Sequence, residues 1–121
     1  MSGHPLDGMN FTQLERDLIN WFVSYSPHPT LAAQLRAASP RSREYTGAGM
    51  NLRLAVPESA GQPLPAALKS PIRGPQISAP SLPNGGGALL FHAHGVVGLL
   101  EVYTYTDPLP EDLSGYSLHA V

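Results

Sequence analysis

The spacing of apolar residues changes twice along the chain, and each change marks a change of predicted element. Leu14, Leu18, Phe22 and Tyr25 recur every three or four residues, the period of one face of an α-helix. Thr12 and Glu15 have the spacing of a capping box, in which each side chain satisfies the other residue's free backbone N–H. Together they predict a helix over 12–25, with Trp21 beside its stripe as a core or dimer-contact aromatic. Ser26-Pro27-His28-Pro29 breaks that helix. Pro29 suits the first turn of a second one, where a missing N–H costs nothing, and Leu31, Ala32, Leu35 and Ala38 give it a small apolar face ending before Pro40.

From Ser42 the period falls to two. Met50, Leu52, Leu54 and Val56 share one face and Asn51, Arg53 and Ala55 the other, which predicts a strand with one wet face. Gly47 and Gly49 interrupt its first half as a bulge or a close backbone approach. Residues 57–71 carry Pro57, Pro63, Pro65 and Pro71 and read as a loop. Ile72 to Ala79 reads as a second strand in which Pro75 removes a ladder donor, so an edge or a bulge is expected. Pro80 to Gly87 reads as a flexible turn. Ala88 to Ala93 and Val96 to Thr106 then form a hairpin through His94-Gly95, whose turn needs positive φ at both positions. That register sets His92 opposite Val97, Leu90 opposite Leu99 and Ala88 opposite Glu101. Asp107-Pro108-Leu109-Pro110 stops the strand and sends the tail back over the sheet. The expected fold is α+β: two N-terminal helices packed on a four-stranded antiparallel β-meander, one domain over 1–121. Residues 1–10 are its loosely ordered lead-in, 57–71 its Pro-rich loop and 107–121 its tail.

Composition narrows the function classes. A chain of 121 residues has room for one core. Only 13% of its residues are charged, and 13 prolines and 12 glycines stand where charge is missing. A surface so poor in charge is expected to be covered, by a second copy or another protein, unless the chain simply consists of many loops. The net charge is -2, and Arg36, Arg41, Arg43 and Arg53 are the only local concentration of its seven basic residues, so no nucleic-acid footprint is expected. The absence of cysteine excludes a disulfide scaffold, a thiolate zinc site and a cysteine nucleophile. With no basic-then-apolar leader and no long apolar run, the expected location is the cytoplasm, with no membrane contact.

His92 and His94 have metal-ligand spacing on a continuous strand, but a turn at 94–95 takes His94 out of strand geometry, so no metal and no cofactor is expected. Glu101 lies among Leu99, Leu100, Val102 and Tyr103. It must reach water, pair with Arg43 or Arg53, or sit in an apolar pocket where a raised pKa would suit an acid or base. Tyr103 and Tyr105 share its face. The candidate binding residues are Arg43, Glu44, Tyr45, Arg53, Glu101, Tyr103 and Tyr105. Serine-nucleophile, phosphate-loop and dinucleotide motifs are absent, since Gly85-Gly86-Gly87 does not lead from a strand into a helix.

Two segments, Ser42 to Met50 (SREYTGAGM) and Leu90 to Pro110, resemble a family of small uncharacterised bacterial α+β proteins. The family's first strand reads Ser/Thr-Arg-Glu-aromatic-Thr-Gly-x-Gly-aromatic and runs on to Val-Pro, as Val56-Pro57 does here. Its closing hairpin has a Leu-Phe stretch, an Asp-Gly turn, Leu-Glu-Gly-Tyr-Thr-Tyr and an acidic-Pro ending. This chain departs at His94, Val102 and Leu109, which stand where Asp, Gly and Trp are usual. The resemblance implies a fold and a bacterial source and brings no activity. Small proteins of this kind include immunity proteins, by analogy only. The leading expectation is therefore a non-catalytic binding or inhibitory module working through its sheet face and the loops around Gly47 and 57–71. The alternative is a small-molecule-binding protein or minor enzyme with a pocket around Glu101.

Overall fold

The computed structural model describes residues 9–60 and 62–121, so all but the last two residues of the expected 1–10 lead-in lie outside it. The capping box forms as the sequence predicts: Glu15 N–H donates to Thr12 Oγ1 at 3.2 Å and Thr12 N–H to Glu15 Oε1 at 2.9 Å. It opens α1 (Gln13–Tyr25), and α2 (Pro29–Ala37) follows with Pro29 in its first turn.

Among the described residues six strands follow where four were expected: β1 (Ser39–Tyr45), β2 (Gly49–Ala55), β3 (Ile72–Ala79), β4 (Leu82–Ala93), β5 (Val96–Thr104) and β6 (Ser117–His119). The sheet is antiparallel throughout, in the order β1-β2-β5-β4-β3-β6. The order is not a simple meander, because β5 closes against β2 and puts β3 on the far side of β4. Three corrections account for the difference. The strand expected from Ser42 to Val56 is a hairpin, turned at Gly47, which sits at φ 88° where a side chain would be strained. The glycine-rich stretch before Ala88 is strand rather than flexible turn, because the Tyr103 ring occupies the space over Gly87; a Cβ there would collide with the Tyr103 ring and hydroxyl. The tail packs Leu109 into the core and, beyond what was expected, adds β6 to the sheet edge beside β3.

The β4–β5 hairpin turns at His94-Gly95, at φ 55° and 81°, as expected. Its register is only partly as expected. His92 pairs with Val97, but Leu90 pairs with Leu100 and Ala88 with Val102, because a bulge between Phe91 and His92 leaves Gly98 unpaired on β5. One inserted residue moves every later side chain to the opposite face.

Both helices lie on one face of the sheet. Leu14, Leu18 and Phe22 of α1 with Leu31 and Leu35 of α2 share a single core with Met50, Leu52, Leu54, Ile77, Leu90, Val97, Leu100 and Val102. Each such side chain contributes roughly 1.5–3 kcal/mol by leaving water. Among the described residues, no helix is long and apolar enough to cross a membrane.

Candidate binding surface

Directly paired residues in a sheet share a face, so the register says which side chains stand opposite the helices. One row across five strands is Glu44, Asn51, Glu101, Leu89 and Arg73. The next is Ser42, Arg53, Leu99 and Phe91. A third sets Tyr103 beside Gly87, Gln76 and His119. Leu89, Phe91, Leu99 and Tyr103 are half-buried and take no part in the core. They form an apolar centre that no described element covers, rimmed by exposed Glu44, Arg53 and Arg73.

Five of the seven candidate binding residues, Glu44, Arg53, Glu101, Tyr103 and Tyr105, belong to this face or its margin. The Tyr103 and Tyr105 rings meet edge to face, centroids 5.6 Å apart, and the Tyr105 hydroxyl accepts from Gln76 Nε2 at 3.0 Å. Burial pushes the Tyr103 phenol up from its usual value, whereas hydrogen bonds from Gln76 and Tyr103 bring Tyr105 down. Ser78 Oγ and His119 Nε2, 2.8 Å apart, fasten β6 to β3 at the rim.

The other two candidates face the helices. Tyr45 pairs with buried Met50 and donates its hydroxyl hydrogen to the Glu111 carbonyl. Arg43 pairs with Leu52, and its guanidinium grips the Glu15 carboxylate through Nε and Nη2, both at 2.6 Å. Glu15 is fully buried and Arg43 is 19% exposed at the side chain. The hydrogen bonds to Glu15 push the guanidinium further up from its ordinary value. Arg43, one of the two partners considered for Glu101, thus belongs to Glu15, and among the described residues Arg43–Glu15 is the one ion pair between side chains. Glu101 needs no partner, because the Gly98 bulge brings it to the open face, where water reaches it.

The histidine pair does not converge. His94 is in the turn at positive φ, while His92 pairs with core residue Val97 and so faces the helix side, its Nε2 buried without a partner. Among the described residues no three histidine or carboxylate side chains gather for a metal ion. The expected loop surfaces are also tied down. Leu64 N–H donates to the Gly95 carbonyl at 2.8 Å, His92 N–H donates to Ser70 Oγ at 3.0 Å, and Leu109 N–H donates to the Gly47 carbonyl at 3.3 Å.

Gln34, which helical periodicity does not single out, is 2% exposed and makes three long-range hydrogen bonds. Its Nε2 donates to the Gln62 and Gly95 carbonyls at 2.9 and 2.8 Å, and its Oε1 accepts from Val97 N–H at 2.9 Å. It locks α2, the loop and the hairpin turn together, and so holds the open face in shape from behind.

Comparison of the chain with protein-family models, with curated proteins and with solved structures finds no match.

Proposed function

We propose that this chain is a non-catalytic protein-binding module of an inhibitory, immunity-like kind, acting in the cytoplasm through the open face of its sheet. The observation that carries the reading is the half-buried cluster Leu89, Phe91, Leu99 and Tyr103, left uncovered at the centre of that face. Apolar and aromatic side chains within a polar rim are the anatomy of a protein contact. The sheet edges favour the face as the route of contact. β1 carries Pro40 and a register shift before Ser42, and β6 is only three residues long, both of which discourage strand addition.

Affinity capture of tagged protein from the lysate of its native cells, with sizing of the purified chain, tests the reading. The expected result is a stoichiometric protein partner, or a second copy, that is lost when Phe91→Asp or Leu99→Asp charges the apolar centre without unfolding the chain. A partner retained by both variants, or a wild-type monomer that captures nothing, refutes it.

A further inference from the structure

The open face is complementary to itself. Its first row holds carboxylates at Glu44 on β1 and Glu101 on β5, and its second row holds Arg53 on β2, the strand between those two. With Arg73 at the far end of the first row, the two rows carry two negative and two positive side chains, so they offer no net charge to a partner of one sign. Among the described residues none of the four is held in an ion pair within the chain. The apolar centre straddles the same two rows, with Leu89 in the first and Leu99 and Phe91 in the second.

We propose that a second copy of this chain covers the face, the two sheets stacked about a two-fold axis that runs across the strands between these rows. The proposal rests on the reading of the face as a protein contact and assigns its occupant. Such an axis lays the first row of each copy over the second row of the other. Neighbouring strands lie ~4.8 Å apart, so Arg53 of one copy comes within one strand's spacing of Glu44 and of Glu101 of the other, one on each side. Stacked sheets are ~10 Å apart, a gap that a guanidinium and a carboxylate reach across together. Leu89 of each copy meets Phe91 of the other. Two-fold symmetry makes every one of these contacts twice. The area agrees. Five strands ~4.8 Å apart, of seven residues in β2 and nine in β5 at ~3.3 Å each, give roughly 600 Å² per copy and about 1,200 Å² for the pair, the lower end of specific interfaces.

Sedimentation velocity of the purified chain over a range of concentrations tests the proposal, with circular dichroism to check that each variant is folded. A concentration-dependent dimer is expected, and Phe91→Asp should leave only monomer. Arg53→Glu sets a third carboxylate against two others, twice per dimer, and should raise the dimer Kd at least about tenfold. Adding Glu44→Arg and Glu101→Arg to that variant should restore association, which a merely damaged face would not allow. A monomer at every concentration that still captures a different protein through Phe91 overturns this proposal and leaves the proposed function standing, whereas a monomer that captures nothing overturns both. A dimer that survives Phe91→Asp or Arg53→Glu has its contact elsewhere and overturns the proposal as well.

Discussion

Replacing Arg43 by methionine should be among the most damaging single changes available in this chain, although the residue lies on an outer strand. The substitution keeps most of the aliphatic stem and removes two 2.6 Å contacts to a carboxylate that is wholly out of water. Glu15 is then left with the Thr12 N–H alone. Hydrogen bonds to charged groups contribute roughly 1.5–3 kcal/mol each, and breaking a buried pair by removing one partner costs about 3–5 kcal/mol. Arg43 retains some contact with water, which favours the lower end, about 3 kcal/mol. That is a large fraction of the ~5–15 kcal/mol that holds a domain folded, and it corresponds to a fall in Tm of roughly 10 °C. A double-mutant cycle in urea isolates the pair. Glu15→Gln with Arg43→Met should lose less than the sum of the single losses, because no uncompensated buried charge remains. Arg53→Met, on the exposed face with no ion pair, should cost no more than about 0.5 kcal/mol. A loss below about 1 kcal/mol for Arg43→Met, the level of a surface ion pair, would show that the buried-pair reasoning is wrong.

Gln34→Leu keeps the side chain's approximate volume but orphans the Val97 N–H and removes a donor from two carbonyls, so it should destabilise the protein by roughly 2–4 kcal/mol in thermal or urea unfolding; a near-neutral result would mean that water reaches those groups. Burial, helped by a hydrogen bond to Asp17, holds the Tyr116 phenol up at about 12. An unfolded tyrosine ionises near ~10, so the folded state favours the protonated phenol. The stabilisation is therefore complete below about pH 10 and is lost as pH rises towards 12. Tyr116→Phe should remove that part of the alkaline loss, and an unchanged pH dependence would refute the assignment.

What could be read from the sequence was whatever local chemistry decides. The α1 capping box, Pro29 at the start of α2 and the His94-Gly95 turn each depend on residues within a few positions, and each stands where expected. What could not be read was decided by distant partners. Gly47 and Gly49 signal an irregularity, but whether it is a bulge or a full reversal depends on β2 finding β5. The Gly85-Gly86-Gly87 run looks like a turn until Tyr103 supplies the bulk that the glycines lack. Arg43 and Glu15 are 28 positions apart and no spacing rule links them. Gln34 on a helix reads as a surface residue, since its three hydrogen-bond partners come from the loop and the hairpin.

The face assignment of Glu101 shows how a single residue separates two functional readings. In the unbulged register Glu101 stands opposite Ala88, a core position, where a carboxylate needs a partner or takes on an abnormal protonation state. With Gly98 unpaired, Val102 takes the place opposite Ala88 and Glu101 moves beside Leu89 on the open face. The same shift puts Leu99 opposite Phe91 on that face and so builds its apolar centre. The feature that removes the reason for an acid–base pocket at Glu101 is thus the one that assembles the proposed contact surface. The contact surface proposed for that face and the placing of Glu101 outside the core are two consequences of one bulge.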